Sequence, residues 1–441
     1  MVIDRRITGR FEWLPYRAIR VYTIVTLLFA LLGPVNYEMD WFYATLMVLY
    51  ILSFLLITRI FMNKSAYYVP KYNARWGDSY LLLLLLKASI FLCFIIKVLL
   101  LISSIKIYGI PSISNIFTTL ANVYSEMHHG EFIGNIYRQI DTFCTFIFYF
   151  AMFVGVFWFK KIGLLFKLFL VADIVLDLLY QVLYIGTQRS IITIVILGLA
   201  MIAQSAIKAN FSIDKKKMAK IVAVGVVSLI VVMNILSARK GLWNPGYYQS
   251  STLYNFDHPL LIPFLSQKAK YDVCTVISYL TQGYKGLVLS FQVPFKWTCF
   301  LGSVRGLNSI LSQIFSCIPD MVEYTYPVRA GLAYNFDGLA SWYTIFPWLA
   351  SDYTFIGALL IMGLVGRLYM KTWVQTVKYK NPLAFMVFTM LTIEYVFIIA
   401  NNQLFIQRGE SLATVILFVV YKLFNKRFDY CDEQEQSTAL E

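Results

Sequence analysis

The sequence predicts an all-α, polytopic membrane protein with about ten transmembrane helices and one large extracytoplasmic loop. Three observations predict it. Of the 441 residues, 59% are hydrophobic and 14% charged, whereas about a quarter of the residues of a soluble domain are charged. Apolar runs long enough to cross roughly 30 Å of hydrocarbon recur almost from end to end. The connectors alternate between base-rich and base-poor, as the positive-inside rule requires. The formal net charge of +14 is thereby a topology signal and points away from nucleic acid as a partner.

The apolar runs fall near 19–35, 41–62, 80–103, 141–159, 162–185, 190–207, 219–236, 353–370, 382–400 and 409–424. Arg5, Arg6, Arg10, Arg17 and Arg20 precede the first run and no small-residue cleavage site follows it, so that run is expected to stay as a span. Lys64, Lys71 and Arg75, then Lys160 and Lys161, then Lys208 to Lys220, then Lys371, Lys378 and Lys380 occupy alternate connectors. All fall on the side of the N-terminal arginines. Both termini are therefore expected in the cytoplasm. The chain divides into a membrane domain over 1–237, an outer loop over 238–352, and a second membrane portion with its tail over 353–441.

Within the loop, residues 272–302 are apolar enough to be mistaken for a span, but one extra crossing would invert the sidedness of everything after them. They read instead as an interfacial or re-entrant helix ending at Pro294, with Tyr279, Tyr284, Phe295 and Trp297 at headgroup level. Residues 339–350 are a second stretch of this kind; if both crossed, the count would be twelve. Cys274, Cys299 and Cys317 leave room for one disulfide in an oxidising compartment, and they lack zinc-ligand spacing.

The chemistry a membrane face of this kind offers begins with its cations. Arg189, Arg239, Arg329 and Arg408 come from four separate parts of the chain and fall on the outer side. A guanidinium is always charged and binds phosphate bidentately, although any one of them can instead snorkel to the interface. Lys97, Asp177 and Glu394 lie in the outer half of the bilayer and Asp173 near its middle, with Asp173 and Asp177 on one helix face. Such groups either line a cavity or pair, for instance Lys97 with Asp177. His258, Asp337 and Asp352 are the loop groups able to take a proton from a sugar hydroxyl. Glu38-Met39-Asp40 is an acidic pair of a kind that can hold a divalent metal, but a three-residue pattern in so short a loop arises easily by chance, which is the better account of it. No phosphate-binding G-K-[ST] loop, G-x-S-x-G or H-E-x-x-H motif is present, which removes the main support for ATP-driven transport and zinc proteolysis.

The run NFDGLASWYTIFPWLASDYTFIGALLIMGLVGRLYMK from Asn335 to Lys371 resembles the end of the outer loop and the following span in O-antigen and other oligosaccharide repeat-unit polymerases, the Wzy family. Thr344, Asp352, Gly357, Gly363 and Gly366 occupy the corresponding places. Tyr353 to Ile356 separate Asp352 from Gly357, where members of that family often place an aromatic and a glycine directly after the acid. ISYLTQGYKGLVLSFQVPF at 277–295 is similar to the family's Tyr/Gly-rich loop helix. Gly186-Thr187-Gln188-Arg189-Ser190 and Ala238-Arg239-Lys240-Gly241 resemble its arginine positions.

The resemblance covers about 186–371. It implies a GT-C-like inner-membrane glycosyltransferase that polymerises repeat units carried on undecaprenyl pyrophosphate, without nucleotide sugar, cofactor or metal, and with a chain-length regulator as a further partner to consider. Its nearest rival is the ligase that moves finished glycan onto lipid A core; a rival of another class is a lipid-linked oligosaccharide flippase. A knockout leaving core with one repeat unit indicates polymerase, and bare core indicates ligase.

Overall fold

The computed structural model describes residues 13–66, 79–110, 135–185, 193–201, 253–261, 266–339 and 341–424. Among them there is no strand, only one antiparallel bridge between Val35 and Tyr254. The helices in chain order are α1 (Leu14–Leu32), α2 (Trp41–Ala66), α3 (Ser79–Tyr108), α4 (Ile136–Phe143), α5 (Thr145–Phe157) and α6 (Leu164–Tyr180). A helical stretch over 193–201 (α7) precedes α8 (Gln267–Ser290), α9 (Arg305–Ile314), α10 (Tyr326–Tyr334), α11 (Ile345–Tyr379), α12 (Pro382–Val396) and α13 (Arg408–Phe424). Five of these are long and apolar enough to cross a membrane, or six if α4 and α5, bent by 54° at Cys144, count as one broken span. The protein is thus helical and multi-pass. The run at 219–236 and half of 190–207 lie outside the described residues.

The helix starts are written locally. The Asp40 carboxylate accepts from the amides of Phe42 and Tyr43 at 2.9 and 3.2 Å and opens α2. Asn135 caps α4 through Tyr137 at 2.9 Å, and Asn381 caps α12 through Leu383 and Ala384, both at 3.0 Å, with Pro382 in the first turn. Each cap satisfies an amide that the helix itself leaves without a partner.

Packing follows the sequence period. Met47, Ile51, Phe54, Thr58 and Met62 recur on one face of α2 and are fully buried, whereas Leu49, Leu52 and Leu56 face outward. That buried face meets α11, where Gly363 sits against Phe61 and Ile57, and Gly366 against Thr58. Glycines let the two backbones approach where a larger side chain would hold them apart. Nearly every residue of α12 is buried, so it is the central helix and is apolar all round for that reason.

The stretch expected to lie at the interface forms α8, which ends four residues before Pro294. Its last turns are embedded among other helices, not laid along a surface. Tyr284 is fully buried and shares a hydrogen bond of 2.9 Å with Thr26 of α1, and Tyr37 reaches Thr281 at 2.8 Å. A side chain on Gly283 would land on the carbonyl of Ile399, and one on Gly286 on the Tyr343 ring. Residues 343–352 are likewise buried throughout. From Ile345 on they form the first part of α11, which breaks at Thr354, a β-branched residue with φ 62° and ψ 168°.

Candidate functional site

Two of the intramembrane charges, Lys97 and Asp177, come together with Asp141. Lys97 of α3 is 4% exposed, and its Nζ lies 2.7 Å from Asp177 of α6 and 2.7 Å from Asp141 of α4. The ammonium also stands 4.6 Å from the centre of the Phe148 ring. Three helices are tied by one cation, which is how a membrane interior tolerates such groups. Beside it is a cavity of about 50 Å³ whose polar lining includes Lys97, Asp141, Asp177, Thr145, Gln181 and Glu410. Gln181 opens the π-helical turn Gln181–Ile185, a local widening often found where a helix must turn a side chain toward a site. Asp173 lies one turn away on α6 and is buried, and neither carboxylate oxygen has a hydrogen-bond partner among the described residues. Glu394 is elsewhere: its Oε2 accepts from the Leu404 amide at 2.8 Å and ties α12 to the turn before α13.

The three loop residues considered as bases occupy different surroundings. Asp352 is buried, accepting from the Thr298 hydroxyl with one oxygen and from the Ser303 amide at 2.7 Å with the other. That makes it an anchor for the 298–303 loop. His258 sits in a turn pinned to the Pro34–Asn36 segment, and its Nδ1 accepts from the Leu260 amide at 3.2 Å. Asp337 accepts from the Leu339 amide at 2.8 Å in its own turn. The cap made by Asp40 employs one member of the Glu38-Asp40 pair, while the Glu38 carbonyl accepts from Lys285 at 3.1 Å. Cys274, Cys299 and Cys317 are free thiols, the first buried and the other two exposed.

Arg189 and Arg239 lie outside the described residues. Arg329 donates to the Pro294 carbonyl at 3.0 Å, and Arg408 donates through Nε to the Ser309 hydroxyl at 3.0 Å. The two therefore stand at separate stations. Each station has a second cation that the sequence did not single out. Arg305 is on α9 one turn before Ser309, hence on the same face, and half-buried. Burial works against its charge, and the Asp320 carboxylate works for it. Lys296, two residues after Pro294, stands 3.9 Å from the centre of the Tyr324 ring.

Two glycines bring the first station to the cavity. Gly306 donates to the Phe405 carbonyl at 2.7 Å, and any side chain there would strike the Gln407 carbonyl. A Cβ on Gly409 would meet Thr145 Oγ1 at 2.6 Å and the Thr142 carbonyl at 2.8 Å. The start of α13 is thus gripped between α9 and the α4–α5 bend, with Arg408 turned toward α9 and Glu410 toward the cavity. No protein-family model, curated protein or solved structure matches this chain.

Proposed function

We propose that the chain is a polysaccharide repeat-unit polymerase acting on lipid-pyrophosphate-linked glycans at the outer face of the cytoplasmic membrane. The observation that carries this reading is Arg408 at the N-terminus of α13, bound to Ser309 of α9 one turn after Arg305, with Glu410 two residues on lining the cavity with the carboxylates Asp141 and Asp177. Two guanidiniums, one of them half-buried, and the positive end of a helix form a strong diphosphate site. A hydroxyl of the incoming unit attacks the anomeric carbon of the growing glycan. The glycosidic bond forms as the bond to the lipid pyrophosphate breaks, and the charge develops on the leaving oxygens. Fixed donors in a low-dielectric site stabilise that charge most effectively. Glu410, two residues from Arg408, is the carboxylate we assign to accept the hydroxyl proton. Asp352 is left to hold the loop.

Purified protein given lipid-linked repeat unit, with EDTA present, is expected to yield a ladder of polymer. Arg408→Gln and Arg305→Gln each lower the rate roughly 100- to 1,000-fold, the effect of removing one donor to a developing anion. Arg→Lys also impairs it, because the planar fork is lost. Wild-type ladders from both glutamine variants would refute the assignment.

The topology we infer has ten spans, both termini inside and residues 238–352 outside. Cys299 and Cys317 are exposed there, so a membrane-impermeant maleimide is expected to label them in spheroplasts and their serine variants to lose the label. Labelling only after permeabilisation would reverse the sidedness and end the proposal.

A further inference from the structure

The corner between α5 and α6 gathers cations that no acid answers. Lys160 and Lys161 are exposed in the turn, Lys167 is half-buried at the end of the first turn of α6, and Lys87 of α3 is half-buried. Lys161 Nζ stands 5.0 Å from the centre of the Trp158 ring, Lys167 Nζ 5.5 Å from that of Phe159, and Lys87 Nζ 5.5 Å from that of Phe166. Rings between Trp158 and Phe166 thus collect three ammoniums, one of them from another helix. Among the described residues no carboxylate pairs with any of these four lysines.

Lysines on this side are what the positive-inside rule asks for, but their position in the fold is unfavourable. They crowd the start of α6, whose first turn holds no acid and whose preceding Gly163 offers no side-chain cap. The field of a helix start favours negative charge and opposes positive. Lys64 shows the favourable arrangement. It makes the same kind of contact with Phe61, at 5.8 Å, but in the last turn of α2, where the helix field suits a cation.

Deeper along the two helices the surface is apolar. Leu164, Leu168 and Val171 recur on one face of α6 and are exposed by 74%, 60% and 50%. On α3, Leu84 and Phe91 are about half exposed and share a face with Lys87. Phe169 of α6 meets Phe91 at 5.8 Å and stacks on Phe94 at 4.8 Å, so the two helices present one continuous surface that begins at the lysines.

We propose that this corner binds an anionic phospholipid, its phosphate held by the lysines at the start of α6 and its acyl chains laid along Leu164, Leu168 and Val171 and past Phe91. One anion there offsets both the mutual repulsion of the lysines and the field of the helix start. Basic groups between spans recognise phospholipid heads by charge in this way. On the topology inferred above the corner faces the cytoplasm, away from Arg305 and Arg408, so the site stands whether or not the chain is a polymerase.

The test titrates full-length protein in neutral detergent with phosphatidylglycerol, phosphatidylcholine and glycerol phosphate, and counts the bound molecules by native mass spectrometry. The expected result is saturable binding of phosphatidylglycerol, about tenfold or more tighter than phosphatidylcholine, and no binding of glycerol phosphate, which has the head without the chains. Glutamine at Lys87, Lys161 and Lys167 together weakens it roughly tenfold or more, as removal of three interfacial charges implies, while Lys64→Gln leaves it unchanged. Equal retention of the two lipids overturns the proposal, as does an unaffected triple variant. An equal loss in Lys64→Gln shows diffuse attraction to the whole basic face, and glycerol phosphate binding as tight as the lipid shows a free-phosphate site; either result also overturns it.

Discussion

Replacing Lys97 with methionine is expected to destabilise the protein by about 3–5 kcal/mol, the range for removing one partner of a buried ion pair. Methionine matches the length of the lysine stem, so the loss is the charge and not the volume. What remains is Asp141 and Asp177, each previously 2.7 Å from the same ammonium, now two carboxylates facing one another with the Glu410 side of the cavity nearby. Thermal unfolding in detergent reads the change, and it is sharpened by a cycle. Lys97→Met combined with Asp141→Asn and Asp177→Asn should recover most of the loss, because neither carboxylate that Lys97 held is then left as a stranded charge. Residues sharing one network are not additive, and the size of the recovery measures their coupling. Unchanged unfolding of the single variant would mean that water, and not Lys97, carries those carboxylates.

This site shows how far sequence reasoning reaches. Lys97 and Asp177 stand out because charges inside apolar runs are rare, and their pairing was one of the two readings open to them. Asp141 is equally part of the bridge, yet it falls at the first residue of an apolar run, where an acid looks like an ordinary boundary. Only the bend at Cys144 brings it inward. Arg305 was hidden for a related reason: it sits among polar loop residues, and nothing local says that Gly306 will press α9 onto the start of α13. Aromatic residues are ambiguous in the same way. Tyr284 and Trp297 both suit a headgroup region by type, but the first is fully buried and the second half exposed.

The helices α2, α3 and α6 were legible because apolar length has only one use in a membrane protein. The spacing oddity between Asp352 and Gly357 was visible too, and the structure places a helix break within it, at Thr354. The left-handed backbone there could not be read from a threonine.

Asp352 supplies the other large expected effect. Asp352→Ala removes the acceptor for the Thr298 hydroxyl and the Ser303 amide, both on residues that are buried. Each buried donor left without a partner costs about 1–3 kcal/mol. The left-handed Cys299 and Phe300 are then free to relax, so the loop changes shape instead of absorbing the loss. A destabilisation of about 2–6 kcal/mol follows from the two donors together, read by thermal unfolding, with Trp297 emission shifting as the loop reorganises.

Asparagine at 352 separates an anchoring role from a catalytic one. Its amide oxygen still accepts from the Ser303 amide, and the Thr298 hydroxyl can rotate to accept from the new NH₂ group. The loop is expected to hold, unfolding to move by about 1 kcal/mol, the net value of one ordinary hydrogen bond, and polymer formation to continue with an unaltered pH profile. Were Asp352 the base, asparagine would leave stability intact and abolish turnover, since an amide cannot accept the proton. The two outcomes share near-native stability and separate along the rate axis. We expect the anchoring outcome because each oxygen of Asp352 accepts a hydrogen bond from its own chain.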